Sequence, residues 1–114
     1  MLATIKVVWG SEVPYFRENA IPEIQDLIVV PAHWRQGIAT QLVDKAETII
    51  RRRSGVAGIC FGLYADYGAA QRIYVLSGYV PDGNGVVYKG SYVTPGQRVI
   101  LNDDLGLCLI KTPE

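Results

Sequence analysis

The sequence predicts a single α/β (α+β) domain over residues 1–114, a mixed central sheet with flanking helices. Three observations carry this. Pro22 to Val30 (PEIQDLIVV) and Ile59 to Tyr64 (ICFGLY) are apolar runs of strand length, the kind that lies buried on both faces of a sheet. Between them, Ile38 to Arg53 repeats apolar residues at spacings of three and four, so a helix joins the two strands in a right-handed crossover. The 114 residues suit one hydrophobic core, and no repeat, low-complexity stretch or interior linker divides them.

The remaining elements follow in order. Ala3 to Trp9 (ATIKVVW) is β-branched and reads as a strand, and Gly10 to Ala20, with its Gly, Pro, Asn and charges, reads as a connector. The strand from Pro22 opens in alternation, Ile24 apolar and Gln25 and Asp26 polar, and Pro31 ends it. On the long helix Ile38, Leu42, Ala46, Ile49 and Ile50 share one face, with Gln41, Asp44, Lys45, Glu47 and Thr48 opposite. Gly55 to Gly58 breaks it. A short helix over Gly68 to Ser77 closes at Gly78, followed by a strand at Val86 to Lys89. A turn region at Tyr92 to Gln97 and a last strand at Leu105 to Lys111 complete the chain.

Composition excludes several classes. Eleven Lys and Arg balance eleven Asp and Glu, which argues against a nucleic-acid binder working by bulk charge. The one basic run, Arg51 to Arg53, sits where the helix ends and complements its dipole. No apolar run is of bilayer length and no secretory signal pattern opens the chain, so a cytoplasmic protein with no membrane partner is expected. Cys60 and Cys108 have neither metal-ligand spacing nor a disulfide framework and read as buried free thiols. His33 is the single histidine, and no metal site is expected.

The chemistry concentrates between the buried strand and the long helix, in Pro31 to Thr40 (PAHWRQGIAT). Gly37 permits close approach of a ligand, Ala39 keeps the first turn free of bulk, and Thr40 offers a hydroxyl. A helix starting here aims unpaired N–H groups and a positive dipole end into the loop, an arrangement suited to phosphate. Neither the Gly-Lys-Ser/Thr ending of a nucleotide-hydrolase loop nor the three-glycine dinucleotide pattern is present.

This segment resembles motif A of the GNAT acetyltransferase superfamily, Arg/Gln-x-x-Gly-x-Gly/Ala after a buried strand. Gly37 and Ala39 fill the small positions, Gln36 precedes them, and Trp34 stands where Arg or Gln is commonest. Ala70 to Tyr79 (AQRIYVLSGY) resembles motif B, Ala-x-x-x-Tyr-x-x-x-Gly-Phe, with Tyr74 at the tyrosine and Tyr79 in place of the phenylalanine. The likeness runs over roughly residues 3 to 111.

The resemblance implies a GNAT-like sheet with a splayed central strand and an N-acetyltransferase that uses acetyl-CoA and no metal. It implies cofactor contacts from Leu27, Ile28 and Val29 and from Trp34, Arg35, Gln36, Gly37, Ile38, Ala39 and Thr40. Tyr74 would be the general acid and Glu23 a general base, with Asp26 a second choice. The acceptor would be a small-molecule or peptide amine. Asp82, Asp103 and Asp104 are candidates to attract it, and Tyr64 and Tyr67 to line its side of the cleft. The family fold opens with a strand, two helices and a second strand, so these N-terminal elements are expected to be missing and the open sheet edge to support a homodimer. A catalytically reduced module that only binds acetyl-CoA or CoA is the alternative.

Overall fold

The computed structural model describes residues 3–29 and 37–112. Strand β1 (Ala3–Val8) is followed by helix α1 (Pro14–Glu18), β2 (Glu23–Val29) and α2 (Ile38–Arg51). Then come β3 (Ala57–Gly62), α3 (Gly68–Leu76) after a 3-10 turn over Ala65–Tyr67, β4 (Val80–Tyr88), β5 (Ser91–Tyr92) and β6 (Leu105–Lys111). The strands form one mixed sheet in the order β1-β2-β3-β6-β4-β5, in which only β2 and β3 run parallel. The expected strand–helix–strand unit is therefore β2-α2-β3, with α2 packed on β1 and β2.

Each face of the sheet has its own core. Ile24, Ile59 and Leu109 of the strands meet Val43, Ala46 and Ile50 of α2 and Tyr74 of α3. On the opposite face Val87 and Cys108 meet Val13, Phe16 and Ile21 around α1. Period-2 alternation produces this division, as neighbours Cys108 and Leu109 fall into different clusters.

Several expectations are corrected. The Gly10 to Ala20 connector contains α1, five residues that are too few to display helical periodicity. Pro14 enters its first turn, where a missing N–H costs nothing, and Phe16 is fully buried against Gly58. A Cβ on Gly58 would lie 2.6 Å from the Phe16 ring.

The inward stripe of α2 is Val43, Ala46, Glu47 and Ile50, whereas Ile49 is 47% exposed. Glu47 moves inward because two partners wait for it, as described below. Strand β4 begins at Val80 rather than Val86, with its register broken between Pro81 and Val86. Where the sequence reads as a turn from Tyr92, Ser91 and Tyr92 pair with β4 across Lys89 and Gly90, both at positive φ as a tight hairpin turn demands.

Cys60 and Cys108 are not free thiols but a disulfide. They lie 48 residues apart in the chain and are direct register partners in β3 and β6, with Cα atoms 4.0 Å apart. Sequence spacing carries no trace of that pairing. Among the described residues no helix is long and apolar enough to cross a membrane.

Candidate functional site

Strand β2 behaves differently along its two edges. Against β1 its register runs from Glu23 to Val29, interrupted where Asp26 and Leu27 oppose the single residue Ile5. Asp26 takes φ 55°, a left-handed conformation that a short polar side chain tolerates and that some bulges require. Against β3, pairing occurs only at Glu23 with Gly58 and Ile24 with Ile59. Beyond that point β3 continues its ladder with β6 through Gly62, while β2 from Gln25 onward pairs with β1 alone. A wedge therefore opens between the two parallel strands after Ile24, beside the bulge. Its β2 wall carries unladdered main-chain groups along the stretch expected to contact the cofactor, Leu27, Ile28 and Val29. The Leu27 side chain itself packs against the α2-side core.

Helix α2 starts at Gly37, its N-terminal flanking residue, at φ 74°. Its carbonyl accepts the N–H of Gln41 at 3.0 Å, so the N–H groups of Ile38, Ala39 and Thr40 have no acceptor within the helix. Among the described residues no heavy atom lies within 4 Å of where a Gly37 Cβ would stand, and no side chain caps the helix. This open, uncapped helix start is what an anion cradle requires. Ile38 and Ala39 are half-buried and Thr40 is exposed. Trp34, Arg35 and Gln36 lie outside the described residues, as does His33.

Tyr74 points from α3 into the core on the α2 side. Its ring stacks on Phe61 of β3 at 6.4 Å and tilts against Tyr79 at 6.5 Å. Phe61 lies two residues beyond the last β2–β3 pair, which brings Tyr74 alongside the wedge. Burial pushes its hydroxyl up to about 12, so it keeps its proton throughout the neutral range.

Glu23 lies on the other face of the sheet. It is 6% exposed and accepts a 2.6 Å hydrogen bond from the Ser11 hydroxyl, which in turn accepts the Val13 N–H at 3.0 Å. With Glu12, Gln25, Lys89, Asp103 and Asp104 it lines a cleft of ≈ 500 Å³. Asp103 accepts hydrogen bonds from both Tyr64 and Tyr67. These two donors hold its carboxyl below the usual range, while the Asp103 bond pushes Tyr64 up to about 12. Tyr67 rises too, chiefly through burial. Gly62 admits the Tyr67 ring, which a Cβ there would meet at 2.3 Å.

The two candidate catalytic groups thus stand on opposite faces of the sheet. Asp103 and Asp104 line the same cleft as Glu23, and Tyr64 and Tyr67 are tied to it through their bonds to Asp103, whereas Asp26 is exposed at the bulge. Asp82 is not among the cleft residues; its Oδ1 accepts the Asn84 N–H, and its buried Oδ2 has no partner among the described residues. Sequence reasoning missed Ser11 and the group formed by Glu47, Tyr79 and Lys111. Tyr79 alone gave a signal, a hydroxyl on a position where the motif needs only an aromatic ring.

The sequence pattern of the acetyltransferase (GNAT) family matches residues 3–79. Among solved structures, the chain is similar to mutant forms of the spermidine/spermine N-acetyltransferase SpeG from Vibrio cholerae, with a TM-score of 0.57 and 17% identity. That alignment covers 96% of this chain and 58% of the other, so this chain spans under two thirds of its structural neighbour's length. At this identity the likeness is one of fold. No curated protein matches the sequence.

Proposed function

Because the chain belongs to the acetyltransferase (GNAT) family, we propose that it transfers an acetyl group from acetyl-CoA to a primary amine, which attacks the thioester directly. The observation that carries this reading is the wedge between β2 and β3, which opens after Ile24 beside the bulge at Asp26 and is headed by the start of α2. These residues fit the cofactor. The N–H groups of Ile38, Ala39 and Thr40, which have no acceptor within the helix, suit its phosphates, and the unladdered edge of β2 suits the amide-bearing pantetheine arm.

Bound acetyl-CoA would supply the acetyl group already activated as a thioester. Tyr74 holds a proton to offer the departing sulfur, a role supported by its position beside the wedge. Glu23 takes the proton of the incoming amine, a role supported by the Ser11 bond that orients it. An ammonium acceptor is favoured by the carboxylates of Glu12, Glu23, Asp103 and Asp104 around the cleft. Spermidine and spermine, named for the Vibrio cholerae neighbour, are accordingly the first acceptors to try.

A homodimer formed across β1 belongs to the same reading, supported by the place of β1 at the end of the sheet. A monomeric mass at micromolar concentration would remove it. The second reading, a module that binds acetyl-CoA or CoA without transfer, is favoured by the burial of Tyr74 and Glu23, each 6% exposed.

Thermal-shift titration tests the cofactor claim. At a hundredfold excess over Kd a ligand of the native state adds about 2.7 kcal/mol, and no shift in Tm at that excess would overturn it. Release of CoA thiol across a panel of polyamines, amino acids, aminoglycosides and peptide N-termini then separates enzyme from binder.

A further inference from the structure

Glu47 is a carboxylate turned into the protein, 5% exposed on the inward face of α2. An isolated carboxylate there would be costly, and partners on two other elements offset the cost. The Tyr79 hydroxyl donates to Oε2 at 2.8 Å, and Lys111 Nζ at the end of β6 donates to Oε1 at 3.0 Å and Oε2 at 3.3 Å. The Lys111 ammonium also lies 5.7 Å from the centre of the Tyr79 ring.

Tyr79 in turn touches Tyr74 in two ways. Its main-chain N–H donates to the Tyr74 carbonyl at 3.1 Å, across the left-handed turn at Gly78 that ends α3. Its ring packs against the Tyr74 ring on one side, while Phe61 stacks on Tyr74 as well. A phenylalanine at residue 79 would keep both contacts and lose only the hydroxyl, whose described partner is Glu47.

We propose that Glu47, braced by Lys111, is a positioning residue that acts through Tyr79 to hold the Tyr74 ring in place. The chain of contacts fixes Tyr74 relative to α2, the helix whose first turn faces the wedge. The inference rests on the reading of Tyr74 as the acid only for its catalytic consequence. The positioning itself is a statement about the Tyr74 ring and can be measured without turnover.

The test uses the full chain labelled with ¹³C-tyrosine, as wild type, Tyr79→Phe, Glu47→Gln and Glu47→Ala. Ring-flip rates and ring carbon shifts of Tyr74 are read at neutral pH. Loss of a hydrogen bond to a charged group is expected to raise the Tyr74 flip rate about tenfold in Tyr79→Phe and Glu47→Ala. Glu47→Gln keeps one acceptor oxygen for the Tyr79 hydroxyl but loses the charge that pairs with Lys111, and its Tyr74 flip rate is expected to fall between wild type and Glu47→Ala. Unchanged Tyr74 signals in Tyr79→Phe, the mildest variant, would overturn the proposal even if its Tm fell.

The activity arm compares kcat for Tyr79→Phe in wild-type and Tyr74→Phe backgrounds with the best acceptor of the amine panel. A loss seen only when Tyr74 is present supports the positioning role, and equal losses in both backgrounds overturn it. If Tyr74→Phe costs nothing while its wild-type ring still answers to Tyr79→Phe, the acid reading falls and the positioning stands.

Discussion

Two substitutions at Gly37 separate the backbone role of this glycine from its place in an anion cradle. At φ 74° any other residue is strained, yet among the described residues nothing within 4 Å obstructs an added Cβ. Gly37→Ala therefore meets strain without a clash, costing about 1 kcal/mol of folding stability, or a fall of ~4 °C in Tm. Its N–H groups remain, so acetyl-CoA should bind as tightly to the folded variant as to wild type. Gly37→Glu carries the same strain and adds a negative charge at the start of α2.

A carboxylate added at the helix start that would hold a doubly charged pyrophosphate, at an effective dielectric between surface and water, repels it by about 2 kcal/mol after screening. That is a ~30-fold weaker Kd. Isothermal titration with acetyl-CoA, and with pantetheine lacking the pyrophosphate, gives the measurement. Weakening should appear for acetyl-CoA in Gly37→Glu alone and be absent for pantetheine. Equal acetyl-CoA affinity in the Ala and Glu variants would place the phosphates elsewhere and refute the cradle.

Other outcomes can be stated more briefly. Tyr74→Phe should lower kcat by about a hundredfold while leaving acetyl-CoA binding intact, the usual scale for a lost general acid, and stopped-assay kinetics would decide it. The same hydroxyl, at about 12 in the fold against about 10 in the unfolded chain, makes stability full below pH ~10 and lost as pH rises toward ~12. Denaturant titrations should show a shallower alkaline loss in Tyr74→Phe than in wild type. Phe16→Ala should cost about 3–5 kcal/mol, because the ring is fully buried over Gly58, and urea midpoints would report it. Reducing the Cys60–Cys108 bond, which closes a loop of 48-residue separation, should remove about 4 kcal/mol, read from urea midpoints with and without dithiothreitol.

Much of the scaffold is local, and local patterns were enough to find it. The apolar run of β2, the three-and-four spacing of α2 and the glycine closing α3 at Gly78 each act through neighbours a few residues away. The same holds for the helix start at Gly37, whose role depends on what precedes and follows it in the chain. Tyr74 was singled out through motif spacing, and the fold sets its ring beside Phe61.

What the sequence could not show depends on pairs that are distant in the chain. Glu47 reads as a polar-face residue, since helical periodicity knows nothing of Tyr79 and Lys111, 32 and 64 residues away. Cys60 and Cys108 are bonded because the β3–β6 register sets them opposite each other, and register is decided by the whole sheet. Asp103 meets Tyr64 and Tyr67 only once the loop before β6 folds back over the end of β3. The wedge is of the same kind. Residues 22–30 name a buried strand, but its parting from β3 after Ile24 and the bulge against β1 beside it are visible only in the assembled sheet that contains all three strands.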